Sequence, residues 1–122
     1  MTQDIVLVGA ARTPMCEYVG TPGYGKLAKL SAIDLGAHAA KAAIERAGVD
    51  AESIDHVVMG HALQTSGQAI FGARHAGLKA GIPQEVPMLT LNRLCGSGAQ
   101  SIINAAQMIM LVEAEVVVAG GM

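Results

Sequence analysis

"LTLNRLCGSGAQSIINAAQMIML", residues 89–111, puts a cysteine where one kind of backbone pattern gives way to another. Upstream, "VPMLTLNRL" (Val86 to Leu94) is short and apolar and predicts a strand. Downstream, "GSGAQSIINAAQMIML" (Gly96 to Leu111) predicts a helix. Apart from Gln100, Asn104 and Gln107 that helix is apolar or small nearly all round, the pattern of a helix buried between layers. A strand that passes straight into a helix is half of a βαβ unit, and the rest of the chain repeats the pattern. Ile54 to Leu63 predicts the preceding strand, and "GQAIFGARHAGLKAG" (Gly67 to Gly81) the preceding helix, closed by Gly81 and Pro83. Before them, Ser31 and Asp34 form a capping-box pattern. They open a helix with Ile33, Ala37, Ala40, Ile44 and Ala47 at helical spacing, and Gly48 is placed to end it. "IVLVGA" (Ile5 to Ala10) predicts a first strand and "AEVVVAGGM" (Ala114 to Met122) a fourth. The predicted order is β-α-β-α-β-α-β with strands apolar on both faces. That pattern predicts an α/β fold, a largely parallel sheet with helices on both faces.

Composition narrows the function. Apolar residues make up 52% of the 122, enough for a packed core and against disorder. The formal charge is -2, no basic cluster stands out, and Tyr18, Tyr24 and Phe71 are the only aromatics, so a nucleic-acid partner is not expected. No apolar run approaches the roughly 20 residues that span a bilayer. "MTQDIVLVGAARTP", with Asp4 early and a short apolar run, reads as a strand rather than a signal peptide. Two cysteines, Cys16 and Cys95, make no disulfide framework, and free thiols point to a reducing, cytoplasmic location.

Two apparent motifs fail on their chemistry. "GTPGYGKL" (Gly20 to Leu27) has the phosphate-loop spacing, with Lys26 in the lysine place. Leu27 stands where a hydroxyl should hold magnesium, and the loop begins well after the first predicted strand instead of directly behind it. The histidines do not make a metal site either. His56 and His61 are five apart on a predicted strand and face opposite sides. His38 and His75 lie in separate helices without a second ligand at i+4, and there is no Cys-x-x-Cys. No metal and no bound cofactor are expected.

Cys95 remains. A free cysteine commonly packs as a small hydrophobe. At the start of a helix, however, unpaired N–H groups and a partial positive charge favour the thiolate. A nucleophile on a strand-to-helix turn is a recurring catalytic device, and the small residues Gly96, Ser97, Gly98 and Ala99 leave room for a substrate.

"NRLCGSGAQS" resembles the nucleophile segment of the thiolases, N-x-x-C-[GA]-S-G. "IVLVGAARTP" resembles their opening strand, and "LSAIDLGAHAAKAAIERAGVDAESIDHVVMG" their first helix and second strand. "GARHAGLKAGIP" is similar to their second helix, where Gln is commoner at the place of His75, and "VVVAGGM" resembles the strand before the family's Glu/Asn-x-Met-Ser segment. The resemblance covers essentially the whole chain in the right order. It implies that residues 1–122 are the N-terminal part of a thiolase N-terminal domain. It also implies that Cys95 attacks an acyl-CoA thioester to form an acyl-cysteine, with the Cys95 N–H facing the thioester oxygen. A second acyl-CoA then loses an α-proton and its carbanion takes the acyl group; the reverse reaction cleaves a 3-ketoacyl-CoA with CoA. CoA and its thioesters are substrates here, not cofactors.

The family's other catalytic groups, an Asn in an N-E-A-F segment, a His and a second Cys near C-x-G-G-G, lie in segments this sequence does not contain. The remaining catalytic residues are therefore expected from a further segment or a partner chain, and the chain alone is expected to be inactive. The family forms dimers and tetramers with strands paired beside the nucleophile, which implies an interface at "MLTLNRL" in a homo- or hetero-oligomer. The alternatives are a β-ketoacyl synthase-like condensing enzyme, which shares the fold and a nucleophilic Cys, and a non-catalytic interaction subunit.

Overall fold

A computed structural model describes residues 4–16, 20, 21 and 24–122. Three helices and three strands organise them: α1 (Ala32–Ala47), β1 (His56–Gly60), α2 (Gly72–Lys79), β2 (Met88–Leu91), α3 (Ser97–Met110) and β3 (Val117–Gly121). Short 3-10 turns at Ala51–Ser53 and Ala69–Phe71 lead into β1 and α2.

The strands form one parallel sheet in the order β2-β1-β3. Parallel neighbours need crossover connections, and those connections are right-handed. The step from β1 to β2 and the step from β2 across β1 to β3 run in opposite directions along the sheet. Their helices therefore fall on opposite faces. Val57 and Met59 point to the side of α2 and α1, where Val57 lies against Gly77 and Met59 against Gly36, while Gly60 points at Ser97 of α3. The central strand is covered on both faces, with Val57, Val58 and Met59 all buried.

Local chemistry explains the element ends. Ser31 accepts the Asp34 N–H (3.1 Å), and Asp34 accepts the Ser31 N–H (3.0 Å), so the anticipated capping box forms. Asp34 also takes an ion pair from Lys79, which ties the start of α1 to the end of α2. Gly48 ends α1 at φ 65°, a left-handed geometry that costs an L side chain about 1–2 kcal/mol. Asp55 fastens the start of β1 to the start of β3. Its carboxylate accepts the N–H groups of Glu115 (2.8 Å) and Val116 (2.9 Å), and its own N–H donates to the Val116 carbonyl (2.9 Å). Those two amides, Val116 first, hold the Asp55 carboxyl below its ordinary range.

Two expectations are corrected. Ile5 to Ala10 is not a strand. Gly9 lies so close to α1 that a Cβ there would sit 2.6 Å from the Ala43 oxygen and 2.8 Å from the Ala47 Cβ. Arg46 Nη1 donates to the Ala10 carbonyl (3.0 Å). The segment thus rides on the alanine face of α1, and a cavity of about 580 Å³ separates it from the edge of β3. An apolar, β-branched run records a preference for burial; pairing also needs a sheet edge within hydrogen-bond reach. The second correction concerns α3. Ser97, Ser101 and Ala105 are buried against the sheet, but Ile103 and Met110 are exposed on the opposite side, and Ile102, also exposed, lines the cavity beside residues 5–10. Among the described residues, only one side of the helix is covered. α1 keeps its expected ends, the other elements are shorter than the sequence pattern suggests, and just beyond α3 Val112 takes φ 60°, a left-handed turn without glycine.

Candidate active site

The three strands end level. Gly60 is the register partner of both Leu91 and Gly121. Ligands of parallel α/β sheets bind outside the carboxyl ends of the strands, where successive crossovers diverge to opposite faces. The turn that carries Cys95 leaves β2 at that edge, and Cys95 is exposed.

The turn is tight. Gly96 and Ser97 N–H groups donate to the carbonyls of Arg93 (3.1 Å) and Leu94 (3.0 Å), so the chain coils into α3 immediately after the cysteine. Leu94 takes φ 49°, unusual for a residue with a Cβ. Ser97 works on both sides of it: its hydroxyl accepts the Arg93 N–H (2.8 Å) and donates to the Leu94 carbonyl (2.6 Å). Asn92 accepts the Leu94 N–H (2.9 Å) and donates to the Ala62 carbonyl (3.1 Å) on the loop leaving β1. Arg93 reaches along α3 to Gln100 (2.7 Å), which donates in turn to Asn104 (2.7 Å).

The small residues around the cysteine have separate reasons. A Cβ on Gly60 would stand 2.5 Å from the Ser97 carbonyl carbon, and one on Gly121 would stand 3.3 Å from the Gly98 Cα. Bare backbone on β1 and β3 therefore lets the first turn of α3 lie directly on the sheet. Gly96 is different. It has φ -86°, and a Cβ there would come no nearer than 3.4 Å to any neighbour, so the packing within the chain does not demand glycine.

The histidines are dispersed. His38 is exposed on α1, and His75 on α2 lies edge-on to Phe71 and 3.3 Å from the Gln68 side-chain oxygen. His56 opens β1 with Nδ1 3.1 Å from the Val57 oxygen. His61, just beyond β1, is 2% exposed, with Nδ1 3.3 Å from the Met122 oxygen and Nε2 without a partner among the described residues. Among the described residues no histidine side chain hydrogen-bonds Cys95, and no three His, Cys, Asp or Glu side chains are grouped to hold a metal ion. Lys26 and Leu27 lie in a run of turns leading to Ser31, and Pro22 and Gly23 of that loop fall outside the described residues. Sequence reasoning named Cys95 and the small residues but missed the roles of Asn92, Ser97 and Gly60. Asn and Ser beside a helix start are a legible turn signal; the close approach at Gly60 is not, because its partner is 37 residues away.

A doubly wound α/β unit with a cysteine on the carboxyl-edge turn is the class these features define. Residues 5–122 match the thiolase N-terminal domain, and the chain belongs to the thiolase family. It is 49% identical over 121 residues to human mitochondrial 3-ketoacyl-CoA thiolase, covering 99% of this chain and 29% of that protein. The crystal structure of the human enzyme in complex with CoA superimposes with a TM-score of 0.82 at 52% identity, over 90% of this chain and 27% of that one. Bacillus anthracis acetyl-CoA acetyltransferase gives a TM-score of 0.87 at 36% identity, over 98% and 29%. The chain thus spans under a third of the length of these relatives.

Proposed function

We propose that this chain supplies the nucleophile of an acyl-CoA C-acyltransferase of the thiolase type. The observation that carries the reading is Cys95, an exposed thiol on the turn between β2 and α3 at the carboxyl edge of a thiolase-family sheet. In the forward reaction the Cys95 thiolate attacks the carbonyl carbon of an acyl-CoA, and CoA leaves with a proton. The acyl group rests on Sγ as a thioester. A base removes the α-proton of a second acyl-CoA, its carbanion attacks the acyl carbonyl, and the Cys95 thiolate departs. Thiolysis of a 3-ketoacyl-CoA is the same sequence reversed. No prosthetic group enters; the Gly96 and Ser97 N–H groups are engaged within the turn, and in this reading the Cys95 N–H donates to the developing oxyanion.

The base and the second acid/base group come, in this reading, from polypeptide beyond these residues. The side of α3 that the described residues leave uncovered, with Ile103 and Met110 exposed, supports a further layer there. The outer edge of β2 is unpaired within the sheet, which suits an oligomer that pairs strands beside the nucleophile.

The test is the assembled enzyme, this chain together with the rest of a thiolase, assayed for cleavage of acetoacetyl-CoA by CoA. Cys95→Ser is expected to abolish turnover while assembly persists, because a serine hydroxyl needs far stronger activation than a thiol. Limiting iodoacetamide near neutral pH is expected to label Cys95 before Cys16. Turnover close to wild type in Cys95→Ser, or preferential labelling of Cys16, refutes the assignment. Residues 1–122 alone are expected to be inactive.

A further inference from the structure

We infer that Asn92 is a positioning residue for the nucleophile, holding the turn that aims Cys95 by stabilising the left-handed conformation of Leu94. The inference rests on the reading of Cys95 as nucleophile. Leu94 has φ 49° and is 70% exposed, so packing does not hold it there. A leucine left to itself would relax to negative φ, because a Cβ crowds the following carbonyl in the left-handed region. That relaxation would rotate the peptide leading to Cys95. Hydrogen bonds on both flanks oppose it. The Leu94 carbonyl accepts from Ser97 Oγ (2.6 Å), a bond inside the turn itself. The Leu94 N–H donates to Asn92 Oδ1 (2.9 Å), and Asn92 Nδ2 donates to the Ala62 carbonyl (3.1 Å). Ala62 belongs to the loop leaving β1, whereas Asn92 belongs to the loop leaving β2. The side chain therefore spans the point where the two crossovers diverge to opposite faces of the sheet. Both functions of one amide are used: its oxygen fixes the turn and its nitrogen fixes the turn to the neighbouring strand's loop. A carboxylate or an alkyl group could not do both.

The inference predicts a dependence on Leu94. In the assembled enzyme, Asn92→Ala is expected to slow alkylation of Cys95 by iodoacetamide about tenfold, with a matching fall in kcat and little change in KM, since the left-handed state of a leucine is disfavoured by about that factor. In a Leu94→Gly background the same geometry is free of the Cβ penalty, and Asn92→Ala is expected to slow alkylation only about twofold. Should Asn92→Ala not assemble, Asn92→Ser takes its place; a serine makes the same kind of turn more weakly and gives an intermediate rate. Equal losses in the two backgrounds would show general structural support and overturn the inference. An unchanged alkylation rate in Asn92→Ala or Asn92→Ser would overturn it too. Cys95→Ser run in parallel separates the premises: if that variant turns over, the nucleophile reading falls, while labelling still reports what Asn92 does to the turn.

Discussion

Gly60→Ala adds one carbon atom where the backbones of β1 and α3 meet. The new Cβ would lie 2.5 Å from the Ser97 carbonyl carbon, 2.6 Å from the Ser97 Cβ and 2.7 Å from the Ser97 oxygen. Ordinary carbon contacts are about 3.5–4.0 Å, so the first turn of α3 must retreat by roughly 1 Å. Backbone on both sides leaves no flexible side chain to absorb the change. Overpacking of this kind costs about 1–3 kcal/mol. The same movement carries Ser97 Oγ away from the Arg93 N–H and the Leu94 carbonyl, the bonds that shape the turn before Cys95. A misplacement of about 1 Å at a reacting group can lower a rate about 10²-fold. Denaturant unfolding and acetoacetyl-CoA thiolysis of the assembled enzyme measure the two effects. Gly98→Ala is the matched control on the same helix turn, because its Cβ would meet nothing within 4 Å. Wild-type stability and turnover in Gly60→Ala would refute the argument that α3 depends on bare backbone at β1. Equal damage in Gly98→Ala would show that any added methyl group near the turn is harmful, whatever its contacts.

Two further outcomes are expected. Gly96→Ala should leave the unfolding midpoint near wild type, since its Cβ stays 3.4 Å or more from its neighbours, while raising KM or lowering kcat if acyl substrate passes over that surface; a stability loss above about 1 kcal/mol would place a hidden contact there. Ser31→Ala should cost about 0.5–2 kcal/mol at neutral pH by removing the α1 cap. The Lys79 ion pair first, then the Ser31 hydrogen bonds, hold the Asp34 carboxyl well below its ordinary range. A lowered folded-state pKa means that Asp34 stabilises fully above the unfolded value of about 3.9 and loses that contribution as pH falls through its own lower value. Acid titration of stability should accordingly be shallower in Ser31→Ala than in the wild type, and an identical or steeper acid loss would contradict the assignment.

Several features of this chain were already determined by sequence. Local chemistry is short in range and repeats regularly. Ser31 and Asp34 sit three residues apart and cap a helix by themselves, Gly48 and Gly81 adopt positive φ at helix ends, and apolar runs alternate with helical periods. The cysteine at the β2–α3 junction was visible for the same reason, as were the dispersal of the histidines and the missing hydroxyl after Lys26. The long-range facts came only with the tertiary structure. Ile5 to Ala10 reads like a strand, yet it lies on the alanines of α1, because pairing depends on which edge is within reach. α3 reads as buried all round, yet the described residues cover one side, because periodicity reports what a helix tolerates and not what is present to cover it. Gly60 and Ser97 are far apart in the chain, and only the crossover that swings α3 over β1 presses them together. The direction of the cysteine was likewise a tertiary outcome: the strain at Leu94 and the bond from Asn92 to Ala62 exist only once two loops meet at the same edge of the sheet.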